Sequence, residues 1–429
     1  MMAALLFVLF ICFMLLRVPV TITIGAAALV VFMLSGYGSA LYVMPQQILE
    51  GVDSPSMLSI PFFILAGNLM NAVGVTDRIF GLALVLVGRF RGGLAQVSVV
   101  AAAIFSGISG SALADIAGLG AIEVKAMRER GYPAEFAAAL SVASAVMAPV
   151  MPPSIAFIVY AAMANTSVAR MFMAGIVPAL LLGVSLMIFN RIIAGRRGYP
   201  REATLPWRSA TRVGLAGLPA LGAPAIILVG TMGGYTTVAE AGVLASAYSL
   251  LLGFLYRTLD MRRIWSALGD TVMVTSLIMI IIGFSRFMSW LLAIEQAPQH
   301  LATAVLTLTN SPILLMFLLV LFLLFIGCFI ESAPAKLILV PVLLPLIDQF
   351  GIDRVHFGVV LTLALALGIA HPPMGIGLFV VTRVSNVSLE KVTIAILPML
   401  IPLLIILFLV AFVPHLATWL PNRLLGVGE

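Results

Sequence analysis

Along this chain apolar residues fall in runs, most of them about 15–25 residues long, and polar residues gather between the runs. Long unbroken runs predict helices that cross a membrane, because strands of a membrane barrel would alternate apolar and polar positions. The runs are Met2–Leu16, Val18–Ser35, Ile60–Val73, Ile79–Gly88, Leu94–Phe105, Ile155–Ala164, Ala174–Ile193, 215–232, 238–256, Thr271–Ile294, Leu301–Leu308, Ile313–Phe329 and 392–412. Residues 37–56 are mixed, with Pro45, Glu50, Asp53 and Pro55, and predict an interfacial segment or a short helix. The first run lacks a positive start and a small-residue cleavage site, so it predicts a retained helix. At about 20 residues per crossing, the chain holds on the order of ten to twelve spans.

Two stretches break this pattern. Residues 104–154 carry Gly107, Ser109, Gly110, Ser111 and Asp115 in one arm and Pro149, Pro152 and Pro153 in the other, with Lys125, Arg128, Glu129, Arg130 and Gly131 in the turn between. The layout repeats at an offset of 220: Gly107 and Gly327, Gly131 and Gly351, Pro152-Pro153 and Pro372-Pro373, Pro178 and Pro398. Ile155 against Gly375 and Asp115 against Ala335 do not match, so the likeness is one of layout. The turn 125–135 carries three basic and two acidic side chains, and 345–355 carries Asp348 and Asp353 against Arg354. A net +1 against a net −1 points to turns on opposite sides, hence to an inverted repeat.

Composition sharpens the class. Hydrophobic residues are 62% and charged residues 9% of 429, too little charge to cover a soluble surface. The net charge of +6 sits in short loops without interleaved aromatics, which argues against nucleic acid. The most basic loop, 195–213, has Arg196, Arg197, Arg201, Arg208 and Arg212 against Glu202, and a second holds Arg257, Arg262 and Arg263. Two runs separate them, so both face one side, the cytoplasm. Cys12 and Cys328 lie in apolar runs and predict buried, unpaired thiols.

Backbone freed by Gly, Ser and Pro inside a membrane must face protein, water or a ligand. Broken helices at matching places in two halves are the sequence signature of a transporter site. Half-helix C-termini offer carbonyls suited to Na⁺, and half-helix N-termini offer N–H groups suited to a carboxylate. Ser106, Ser109 and Ser111 add hydroxyls for either ligand, although Gly107 and Ser111, four apart, also suit close helix packing. Asp115 and Glu331 are carboxylates in apolar surroundings, where an ion site, a proton site or a salt bridge would each account for them. His371 could carry a proton or serve structure. Glu240 fits a helix cap, Asn68 a bond across helices, and Arg286 an ion pair, a lipid phosphate or an anionic substrate.

Specific motifs carry a family resemblance over nearly the whole chain. They are Ser109–Asp115, Gly131-Tyr132 with Phe136–Ala139, Pro149–Ile155, Pro61–Gly67, Gly351–Asp353 with His356–Gly358, and Pro372–Gly375 with Leu378–Val380. Together they resemble the large membrane subunit of the tripartite ATP-independent periplasmic (TRAP) transporters, of DctM or SiaM type. The resemblance implies an all-α polytopic protein with two inverted repeats and broken hairpins, about 94–150 and 312–370, working as an elevator. It divides the chain into scaffold helices 1–90, a first hairpin region 91–194, a linker and second scaffold 195–300, a second hairpin region 301–391 and a C-terminal helix 392–429. It implies Na⁺-driven import of an organic acid, C4-dicarboxylate or sialic acid being the examples, across a bacterial inner membrane. The implied partners are a periplasmic binding protein and a separate small four-helix membrane subunit. Carried onto matching positions, one Na⁺ site would use Ser106, Ser109, Ala148, Met151 and Pro152, and a second Gly327, Gly368, His371 and Met374. The substrate would meet Ser109, Gly110, Ser111, Asp115, Pro153, Ser154 and Pro373.

Two positions depart from the family pattern. His371 stands where a Thr is usual, and an imidazole is a poor ligand for a hard cation, so the second site relies on a carbonyl, is altered, or takes a proton. Glu123-Val124-Lys125 stands where an apolar residue and Pro are usual. Three other readings compete. A stand-alone Na⁺- or H⁺-coupled dicarboxylate symporter would need no binding protein. A channel would carry steady current. Gly107–Gly110 matches the Gly-x-Ser-Gly of rhomboid intramembrane proteases, with His371 as base, but such enzymes need fewer spans and no repeat.

Overall fold

The computed structural model describes residues 2–16, 18–36, 41–199, 206–372 and 374–426. Arg17, residues 37–40, Arg201, Glu202 and Pro373 lie outside them. All described elements are helical. The N-terminal set is α1 (Met2–Leu15), α2 (Val20–Leu34), α3 (Val43–Val52), α4 (Pro55–Ala72) and α5 (Val75–Val87). The first repeat continues as α6 (Gly93–Ser109), α7 (Ala112–Glu129), α8 (Ala134–Ala145), α9 (Ile155–Ala164) and α10 (Val168–Arg197). The middle holds α11 (Trp207–Gly217), a 3-10 turn, α12 (Gly222–Met232), α13 (Val238–Leu255) and α14 (Met261–Ile294). The second repeat runs through α15 (Ala297–Leu308), α16 (Pro312–Gly327), α17 (Ser332–Gln349), α18 (Arg354–Gly368), α19 (Ile376–Ser385) and α20 (Leu389–Phe412), followed by α21 (His415–Leu425).

The repeat is visible in the helix starts: α7 and α17 begin at Ala112 and Ser332, α8 and α18 at Ala134 and Arg354. The punctuation repeats as well. Gly131 and Gly351 take φ of 82° and 64°, and Asn165 and Asn386 take 52° and 55°, left-handed backbone that Gly and Asn tolerate best. Between the two hairpins lie four full-length spans (α10, α11–α12, α13, α14) and the broken pair α8–α9. An odd number of crossings puts the hairpins on opposite sides, so the repeats are inverted.

Six described helices are long and apolar enough to cross alone, or eight with the bent pairs α3–α4 and α15–α16 counted as one each. That is fewer than the expected ten to twelve, because the hairpin arms other than α17, and the broken halves, are too short or too polar to cross singly. α14 starts ten residues before the apolar run does, since Asp260 accepts a hydrogen bond from the Arg263 amide at 2.8 Å and caps it. α21 escapes the apolar pattern altogether; Arg170 holds it by donating to Asn422 Oδ1 at 2.7 Å. Cys328 is buried and unpaired as expected, whereas Cys12, also unpaired, is exposed on α1.

The deepest elements are α8, buried from Phe136 to Ala145, and α18, buried from Val355 to Gly368. Alanines and serines let helices approach α8 closely. On the outside, Leu180, Val184, Ile188 and Ile192 of α10 are exposed every fourth residue. Such a stripe belongs against acyl chains. The chain is an integral, multi-pass membrane protein. Helices α2, α3, α4, α13 and α14 pack on one another, and Asn68 ties α4 to α14 by donating to Thr271 Oγ1 at 3.0 Å. The repeats interlock elsewhere: α7 packs on α19, and α17 on α9.

Candidate functional site

Each hairpin tip abuts the break in the next helix of its own repeat. α6 ends at Gly110, whose φ of 59° turns the chain back into α7. A Cβ added to Gly110 would stand 3.3 Å from the Ile155 amide nitrogen and 3.5 Å from the Pro153 carbonyl oxygen. In the second repeat a Cβ on Gly368 would stand 2.2 Å from the Gly327 carbonyl carbon. Tip and break therefore touch through bare backbone in both halves.

Between the two tips lies a cleft of about 400 Å³. Gly110, Ser111, Ala112 and Leu113 come from the first tip, and Glu331, Ser332, Ala333 and Pro334 from the second. The breaks contribute Pro149, Ile155, Ala156 and Ile369, while Val274, Leu277, Ile278 and Ile281 of α14 and Thr21 of α2 close the remaining wall. Three helices begin on this cleft: α7 after Ser111, α9 after Ser154 and α17 after Glu331. The first amides of a helix lack partners within it and carry the positive end of its dipole, so the cleft favours an anion.

The candidate side chains divide into closed and open groups. Ser106 donates to Asp115 Oδ2 at 3.1 Å, Ser109 donates to the other carboxylate oxygen, and the Ser111 amide donates to Ser109 Oγ at 3.3 Å. Asp115, 2% exposed, thus staples the two arms of the first tip and turns away from the cleft. Ser154 donates to the Pro149 carbonyl at 2.6 Å and accepts from the Phe157 amide at 3.4 Å, bracing the first break. Ala148, Pro152 and Pro153 are buried in that break and Met151 is half-buried. At the second break, Gly327 and Gly368 are buried, and His371 places Nδ1 on the Pro372 carbonyl and 3.6 Å from Cys328 Sγ. Met374 is exposed, and Pro373 lies outside the described residues. Glu331 is the open one: it lines the cleft and makes no cap bond to its own helix. No three His, Cys, Asp or Glu side chains gather among the described residues, so a cation here would rest on carbonyl and hydroxyl oxygens, which suits a hard ion.

Other polar candidates serve structure. Glu240 accepts from the Thr237 amide at 2.7 Å while Thr237 accepts from the Glu240 amide at 3.2 Å, a reciprocal cap on α13. Arg286 is exposed and packs beside Gly51 of α3, away from the cleft. Lys125 sits at a surface hollow with Arg128, while Glu123 is buried within α7. Lys336 was not singled out by sequence, although it too is a charge inside an apolar run. It is fully buried, and Nζ donates to the Ala156 carbonyl at 3.4 Å.

Comparison with known proteins fits this geometry. Residues 7–416 match the family model described as tripartite ATP-independent periplasmic transporter, DctM component. The chain belongs to the DctM family. It is therefore a transporter component and not an enzyme. It is 42% identical over 389 residues to the sialic acid TRAP transporter large permease protein SiaM of Vibrio cholerae, 90% of each chain. It is 36% identical to the sialic acid TRAP transporter permease protein SiaT of Haemophilus influenzae, covering 96% of this chain and 67% of that one. The solved YdaH transporter of Alcanivorax borkumensis shares the fold at a TM-score of 0.58 and 15% identity, over 94% of this chain and 97% of that one.

Proposed function

We infer that this DctM-family chain imports an organic acid, coupled to Na⁺, across a bacterial inner membrane. The observation that carries the reading is the meeting of three helix N-termini on one cleft between two hairpin tips. A carboxylate seated there gains amide donors and three dipoles without needing an arginine. Cations enter at the junctions of tip and break. The first would rest on Ser106, Ser109, Ala148, Met151 and Pro152, and the second on Gly327, Gly368, Met374 and the His371 carbonyl. Charge is thereby balanced next to the substrate, which couples the two affinities.

One wall of the cleft belongs to α2 and α14, the remainder to the hairpins and breaks. Regions 91–194 and 301–391 then act as the moving body, and 1–90 with 195–300 as its scaffold, carrying the site across the membrane as an elevator. Partners are a periplasmic binding protein and a small membrane subunit, in keeping with the sialic acid TRAP transporters among the relatives. The test is uptake into proteoliposomes holding this chain and its small subunit, with loaded binding protein outside and Na⁺ and pH gradients imposed separately. Uptake that needs both the binding protein and Na⁺ is expected. Uptake driven by a pH gradient alone would move coupling to His371, Glu331 or Asp115, and uptake without a binding protein would establish a stand-alone symporter instead.

A further inference from the structure

Glu331 on the cleft and Lys336 behind it take part in no ion pair among the described residues. Among the described residues, Glu331 is the one charged residue on the lining, exposed at the start of α17. Lys336, fully buried, follows Ser332 by one turn, and Ser332 lines the cleft. Its amine nitrogen donates to the main-chain carbonyl of Ala156, a lining residue on α9. The amine therefore stands behind the cleft wall, held by one long hydrogen bond among the described residues. Carrying a charge here with so little compensation is costly, and an anion arriving in the cleft supplies what the protonated amine lacks. The four-carbon stem lets the amine, protonated as the anion arrives, exchange the Ala156 carbonyl for that anion.

The other carboxylate near the tips is already satisfied: Asp115 accepts from Ser106 and Ser109. Glu331 has no such donors described. A ligand with one carboxylate meets Lys336 and the three helix N-termini, and its hydroxyl groups can donate to Glu331. The second carboxylate of a dicarboxylate would instead face Glu331, and like charges at close range repel.

We propose that Lys336 receives the carboxylate, and Glu331 the hydroxyl groups, of a hydroxylated monocarboxylate, which this cleft selects over dicarboxylates. The assignment rests on the reading of the cleft as an organic-acid site, and it fixes the class of acid. Lys336 and Glu331 are then specificity-determining residues.

The experiment is isothermal titration of the purified complex of this chain and its small subunit, without binding protein or ion gradient. The probes are sialic acid, gluconate, the methyl ester of each, and succinate. The wild-type complex should bind at least one hydroxylated acid about tenfold or more tighter than its ester and than succinate. Lys336→Met should weaken that acid by about tenfold or more and erase the preference for acid over ester, while Lys336→Arg keeps the preference. Glu331→Gln should leave the preference for acid over ester and raise succinate affinity, an opposite sign that loss of packing does not produce. Thermal melting of each variant checks folding, and Lys336→Gln replaces Lys336→Met if the latter does not fold. The proposal is overturned if the neutral variants keep the acid-over-ester preference, if Glu331→Gln leaves succinate unchanged, or if the wild type binds neither hydroxylated acid at millimolar concentration. Binding with these selectivities but no uptake dependent on the binding protein would sink the tripartite reading alone.

Discussion

At the residue scale the closest backbone contact in the second half makes the sharpest test. A Cβ at Gly368 would lie 2.2 Å from main-chain carbon of Gly327, which cannot rotate away. Gly368→Ala should therefore push the second tip off its break and cost about 1–3 kcal/mol. Thermal melting and uptake should both fall. Gly118, within α7, has nothing within 4 Å of its added Cβ, so Gly118→Ala should be neutral or add up to about 1 kcal/mol of stability. Asp115→Asn tests the staple of the first tip. It preserves shape but weakens two hydroxyl-to-carboxylate bonds, each worth about 1.5–3 kcal/mol. Melting should drop, and the effects of Asp115→Asn and Ser106→Ala should be non-additive in a double-mutant cycle. Independent, additive losses would show that the staple is not formed. The sequence marked Asp115 and Glu331 alike as membrane carboxylates. Which is closed by serines and which is open depends on side-chain direction across a turn, and one-dimensional spacing does not carry that. Lys336 was legible by the same criterion, since any charge within an apolar run asks for a partner.

At the scale of elements, most of what matters could be read from breaks. Gly, Ser and Pro placed both hairpins and both interrupted helices, because they are the residues that free backbone in a membrane. Convergence was harder. Nothing in the order of α7, α9 and α17 along the chain says that their N-termini meet, since α9 reaches α17 from the other repeat. Helix ends set by capping, such as Asp260 before α14, lie outside apolar runs and are missed by hydropathy alone. The reciprocal cap on α13 gives a prediction at this scale. Thr237→Ala removes one of its two hydrogen bonds and should cost about 1 kcal/mol. Since Thr237 does not line the cleft, melting should shift while half-saturation for substrate stays unchanged. A change in half-saturation would mean that α13 takes part in the site.

For the whole molecule the question is whether the hairpins move as a body against the scaffold. Leu113 on the first hairpin and Leu277 on α14 line the same cleft from opposite sides of that division. Asn68 and Thr271, which share a hydrogen bond of 3.0 Å across α4 and α14, both lie on the proposed scaffold side. In a chain with Cys12 and Cys328 replaced by serine, two pairs can be compared. Leu113→Cys with Leu277→Cys, once bridged by a short bifunctional thiol reagent with a cleavable disulfide, should abolish uptake, and a reductant should restore it. Asn68→Cys with Thr271→Cys, bridged in the same way, should leave uptake largely intact, because rigid bodies tolerate internal ties. The inverted repeats supply the reason to expect motion: two interlocked halves of one layout, entering from opposite sides, have two related arrangements of similar energy. If bridging Leu113 to Leu277 leaves transport at its unbridged rate, the cleft does not travel past α14. The substrate would then have to reach it by local opening of the hairpin tips alone.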